Sequence, residues 1–186
     1  MSSSANPFGL RPAMRLGGNT ATQPMQYSIA NGYNTNIMQG APVKIGTDGN
    51  IQLAAAGQRA CGVFQGVQYT GPAGRPVYDN KWIANTVATD AIAFVTVDPD
   101  LLYEIQANAT MTIANIGEQY DWTTATAGST TTGLSSVALD VASTAANAGL
   151  QVVDLVPGPD NAWGDSFPIV LVRISEHQLR ADVAAF

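Results

Sequence analysis

Apolar and polar residues alternate along much of this chain with a period near two, the signature of half-buried strands. Met25 to Ile29 alternates and runs into Asn31-Gly32, a turn signal. Pro42 to Leu53 holds two short alternating runs around Thr47-Asp48-Gly49-Asn50. Asp-Gly supplies the positive φ angles of tight turns, so a β-hairpin is predicted there. In Cys61 to Thr70, Val63, Gln65, Val67 and Tyr69 share one face, and Phe64, Gly66 and Gln68 the other. Gly62 and Gly66 inside that run predict a bulge or a close backbone approach. Ala91 to Val97 is a nearly continuous β run, suited to burial on both faces, and Asp98-Pro99-Asp100 turns it into Leu101 to Gln106. Ile116 to Trp122, Ser135 to Asp140, Leu150 to Val156 and Pro168 to Ser175 complete the strands. A helical turn is expected around Leu179 to Val183.

No window of about 15 residues carries a capped stripe of helical period. Repeats of roughly 20 to 50 residues, the mark of propellers and solenoids, are not visible. The expectation is an all-β domain, a single β-barrel or β-sandwich of jelly-roll or tulip-like form. The stretch 107–133 is the least legible part, poor in charge and rich in Ala, Thr, Ser and Gly; Ala125 to Gly133 reads as an exposed loop.

The first 24 residues break the alternation. Pro7, Pro12 and Pro24 interrupt regular structure, and Gly9, Gly17 and Gly18 make the backbone costly to order. The segment is expected to be an extended docking arm (residues 1–24) on a body of residues 25–186, with no means of folding on itself and held by something larger. Phe8 and Leu10 are its apolar anchors. Arg11, Pro12 and Arg15 complete the expected contacts, the two arginines as charge partners.

Composition sharpens that picture. The chain has 186 residues and is 46% hydrophobic but only 12% charged, about half the usual charged share. An uncharged polar surface desolvates cheaply against other protein, which favours an assembly component. The net charge of −6 argues against general nucleic-acid binding. Residues 1–47 carry Arg11, Arg15 and Lys44 and no acid, so the remainder bears −9 of the total −6. A basic arm on an acidic body points to an acidic partner surface, a neighbouring copy included. No apolar run reaches the ~18 residues of a membrane span, and no secretory leader is recognisable.

Candidate chemistry is sparse. Cys61 is alone, reads as a buried thiol, and allows neither a disulfide nor a zinc site. His177 is the one histidine, and Ser175, Glu176 and His177 are consecutive, which points neighbouring side chains to opposite faces. A structural histidine is the favoured reading. Asp98, Asp100 and Glu104 lack the spacing of a calcium loop and fit a plain turn. Asn108-Ala109-Thr110 matches a glycosylation sequon by chance. Trp82, Trp122 and Trp163 suit core or interface packing better than a sugar platform. No catalytic residue, metal or cofactor is expected.

Several stretches together resemble a known family. Asn6-Pro-Phe-Gly-Leu-Arg-Pro12 is similar to the opening of small decoration, cement or head-stabilising proteins of tailed-bacteriophage capsids. The resemblance continues through Gly62-Val-Phe-Gln-Gly-Val-Gln-Tyr69, Leu102-Tyr-Glu-Ile-Gln106 and Ser136-Val-Ala-Leu-Asp140. It closes with Leu150-Gln-Val-Val-Asp-Leu-Val156, Pro159-Asp-Asn161 and Val170 to Leu179. Where that family tends to carry charged residues after the second proline, this chain has Ala13-Met14-Arg15, and 107–133 shares little with it. The resemblance implies a non-enzymatic virion protein made in the host cytoplasm. It would sit on the outer capsid surface and bridge neighbouring major capsid proteins. It also implies a homo-oligomer, a trimer before a dimer, and no cofactor. The alternatives are a carbohydrate- or receptor-binding β-domain on the virion and, third, a small hydrolase.

Overall fold

The Asp48-Gly49 turn folds as its residues dictate. Gly49 takes φ 78°, Gly46 N–H donates to Asn50 C=O at 2.8 Å, and the Asp48 carboxylate accepts from the backbone and side-chain nitrogens of Asn50. In this computed structural model residues 4–18, 23–144 and 148–180 are described. Among them the strands are β1 (Arg11–Arg15), β2 (Met25–Ser28), β3 (Ile37–Met38), β4 (Pro42–Ile45), β5 (Ile51–Leu53), β6 (Gly62–Thr70) and β7 (Pro76–Asp79). They continue as β8 (Lys81–Trp82), β9 (Ile92–Thr96), β10 (Leu101–Gln106), β11 (Gln119–Trp122), β12 (Leu139–Asp140), β13 (Leu150–Leu155) and β14 (Ile169–Ile174). The chain is all-β, with one 3₁₀ turn at Ile113–Asn115 among the described residues.

The strands form two main antiparallel sheets, ordered β1-β10-β14-β13-β11-β12 and β2-β9-β6-β4-β5, with β7 beside β6 and a small β3-β8 pair. The sheets pack face to face. Tyr103, Ile105, Val172, Val152, Tyr120 and Trp122 of the first bury against Val63 of the second and against Ala54 and Ala60 of the connection between β5 and β6. Tyr103 spans the gap and donates its hydroxyl to Thr96 C=O at 3.2 Å. A second cluster of Phe64, Val43, Ile51, Val95, Ile37 and Trp82 fills the other side of the second sheet, and Leu53 touches both. β6 therefore serves both clusters, Val63 the first and Phe64 and Val67 the second. β9 buries Ala93 and Val95 in the second cluster and leaves Ile92 and Phe94 half-buried, short of the two-faced burial its apolar run predicts.

The glycines of β6 do what their position in a strand implies. A bulge lies between Phe64 and Gly66. A Cβ on Gly62 would sit 2.1 Å from Thr96 C=O, and one on Gly66 3.0 Å from Asp79 C=O. Trp82 and Trp122 are fully buried and donate from Nε1 to Tyr33 C=O and Ala54 C=O; Trp163 packs on the first cluster.

The N-terminal segment corrects an expectation. Residues 4–18 lie along their own body, and β1 pairs with β10 through Arg11↔Glu104, Pro12↔Tyr103, Met14↔Leu102 and Arg15↔Leu101. Leu10 is 1% exposed and belongs to the first core cluster, a burial that contributes about 1.5–3 kcal/mol. The segment lacks local partners but finds distant ones, which a local reading does not see. Pro12 fits because β1 is an edge strand with a bulge between Pro12 and Met14. The expected strand over 135–140 shortens to Leu139–Asp140, and part of the expected 179–183 turn lies outside the described residues.

Candidate functional site

The segment that carries the motif is laid down residue by residue. Asn6 N–H donates to Gln106 Oε1 at 2.8 Å, and Gln106 Nε2 returns to Ser4 C=O at 3.1 Å. Gly9 N–H meets Val137 C=O at 3.1 Å and Leu10 N–H meets Gly40 C=O at 2.8 Å. Gly9 has φ +76°, and a Cβ there would lie 2.7 Å from Gly40 C=O, so the crossing demands glycine. Leu10 then turns inward, leaving Phe8, Arg11 and Pro12 at the surface.

These residues gather around one surface groove of about 240 Å³, lined by Phe8, Leu10, Arg11, Pro12, Gln39, Gly40, Gln65 and Leu134. Phe8 and the 49%-exposed Leu134 give it apolar walls. The Arg11 guanidinium lies 4.4 Å from the Phe8 ring centroid, a cation–π contact. Its Nη1 is 3.6 Å from Glu104, and the side chain is 62% exposed; such a long, wet ion pair contributes about 0–1 kcal/mol. The Gln65 Nε2 is shielded from solvent and has no acceptor among the described residues. Burying a donor unpaired costs about 1–3 kcal/mol.

Four of the five expected contact residues therefore converge, although Leu10 serves as floor and not as a protruding anchor. Arg15 stands apart, beside a shallow depression with Leu16, Gly17 and Asp100. Its Nε lies 2.6 Å from Asp98 Oδ2 without hydrogen-bond alignment, and Nη2 donates to Oδ1 at 3.4 Å. Gln39, Gly40, Gln65 and Leu134 escaped the sequence reading. Gln65 reads from the sequence as one face of a strand, and nothing local in the sequence brings these four to the N-terminal segment.

Comparison of the chain with protein families, with curated proteins and with solved structures returns no match.

The remaining candidates have plain partners. Asp98 and Glu104 face Arg15 and Arg11, Asp98 also caps its turn by accepting from Asp100 N–H, and no group of three ligating side chains occurs among the described residues. His177 is 3% exposed; its Nδ1 accepts from Leu179 N–H at 3.1 Å. Burial holds its pKa below the ordinary value, and Arg180 adds to that, while the Val97 and Cys61 backbone and Asp98 oppose it. The Ser175 hydroxyl turns to Ala148 C=O instead of the imidazole. The buried Cys61 thiol is pushed up to about 12 by desolvation, which keeps it protonated and unreactive.

Proposed function

We propose that this chain is a structural virion protein that binds the outer surface of a phage capsid and cements neighbouring major capsid proteins. The observation that carries the proposal is the use made of the Asn6–Pro12 motif. Its backbone is spent on anchoring to the body, and Phe8, Arg11 and Pro12 are left to frame a surface groove. A charge-poor all-β body suits this role, because it meets protein partners at low desolvation cost. A protein that binds only the assembled lattice stabilises that lattice by mass action. Several copies acting together turn weak individual contacts into tight attachment. The alternative of a glycan-binding domain gains no support from the tryptophans, which pack inward.

The test is co-sedimentation of the purified protein with expanded, undecorated phage heads, followed by electron microscopy of the pellet. Ordered density on the outer surface is expected, together with greater resistance of the heads to heating. Absence of the protein from heads at every stage of maturation would sink the proposal. Deleting residues 2–24 is a poor test here, since it removes Leu10 and β1 from the fold itself.

A further inference from the structure

We infer that the groove beside the N-terminal segment is a socket for one apolar side chain of a protein partner, with a carboxylate next to it. The inference deepens the cementing reading and rests on it for the identity of the partner. It reverses the expected direction of contact: the segment does not reach out as a strap but builds a receptacle with the body.

Three observations carry it. At about 240 Å³ the groove lies below the roughly 300–1,000 Å³ of small-molecule sites but suits a single anchor of the kind that dominates protein interfaces. Its walls are Phe8 and the half-exposed Leu134, and its floor is the backbone of Gly40 with Leu10 beneath. At its rim, Arg11 is held in place by stacking on Phe8 and only loosely engaged by Glu104, so the position of its charge is set before a ligand arrives. Gln65 lines the same groove with an amide whose solvent-shielded Nε2 lacks an acceptor among the described residues, a donor that an incoming carboxylate or carbonyl would satisfy. A hydrophobic wall, one cation and one amide donor are together the complement of an aromatic or aliphatic residue followed by Asp or Glu.

The probe is a six-residue peptide, Ser-Gly-Phe-Asp-Gly-Ser, titrated into the isotopically labelled full chain and followed by NMR. Saturable shifts at Phe8, Gln65 and Leu134 are expected. Replacing the peptide's Phe by Ala should weaken binding about tenfold or more, and replacing its Asp by Lys about threefold. Arg11→Glu should reverse the preference between Asp and Lys, and Leu134→Asp, at an exposed position, should abolish the shifts while the spectrum stays folded. Equal response to all peptides, or none up to millimolar concentration, overturns the inference. So does a silent titration in which Leu134→Asp changes the sedimentation coefficient, for then the groove holds a second copy. A positive titration with no capsid binding would keep the socket and remove the cementing reading; capsid binding unaffected by Leu134→Asp and Arg11→Glu would do the reverse.

Discussion

Residues 4–18 are zipped along a sheet edge and pinned by a buried leucine, whereas residues 175–180 are held by one buried imidazole and by the backbone and amide of Gln178. At the N-terminal end, β1 adds a strand to the first sheet and Leu10 enters its core. At the other end, Gln178 N–H donates to Ala60 C=O, and its side chain grips both Ile45 N–H (2.7 Å) and Ile45 C=O (3.1 Å). That amide imitates a neighbouring strand where β6 is too short to reach. The first attachment joins a backbone ladder to a buried leucine; the second is polar, specific and built around a group that titrates. A chain end can thus become part of the fold by burying area or by completing a ladder, and the two should fail under different stresses.

The largest effect should come from the apolar end. Leu10→Ala is expected to destabilise the whole domain by about 2–5 kcal/mol, as for other buried leucines, read as a shift in the urea midpoint without a change in slope. A loss below about 0.5 kcal/mol, the usual scale of a surface change, would show that the segment is not part of the core.

The C-terminal attachment should yield to acid. His177 has a folded pKa below its unfolded value near 6.5. The unfolded chain takes up the proton first, so stability is full above about pH 6.5 and falls as pH drops through that value towards the lower folded pKa. Denaturation midpoints between about pH 7 and pH 5.5 should decline in the native protein and flatten in His177→Asn. Gln178→Ala should lower stability across this range, because it frees both Ile45 groups, and should leave the decline in place. Equal slopes for native protein and His177→Asn would remove the imidazole from the account.

The smallest effect belongs to the surface charges. Arg15→Ala, which breaks the contact with the Asp98 carboxylate, should cost below about 1 kcal/mol and even less in about 1 M salt. A larger, salt-independent loss would mean that the pair organises the Asp98–Asp100 turn.

Legibility in the sequence followed range. The hairpin at 42–53, the glycine-marked β6, and the strands β2, β9, β10, β13 and β14 could be read because their signals are local: alternation, Asp-Gly, or a run ended by Asp-Pro-Asp. β1, β3, β7 and β8 were not read, since each is short and defined by its partner more than by its own residues. For β1 that partner lies in β10, so three prolines and several glycines read as an extended docking arm held by something larger, not as an edge strand of the body. The candidate site divides the same way. Phe8, Arg11 and Pro12 stood out from their own motif, but Gln39, Gly40, Gln65 and Leu134 reach it only through tertiary folding.

The nesting of β1 and β2 on β10 and β9 has a consequence for synthesis. Each sheet ends on one strand of the N-terminal pair, yet the partner of β1 emerges from the ribosome about 90 residues later and that of β2 about 65–70 residues later. At about 5–20 residues per second, Leu10 waits on the order of 5–20 s, and β2 on the order of 3–14 s, before the partner strand exists. During that interval the nascent chain carries apolar residues with nowhere to go. The prolines and glycines around them then have a second use, since they keep a waiting segment from settling into the wrong sheet.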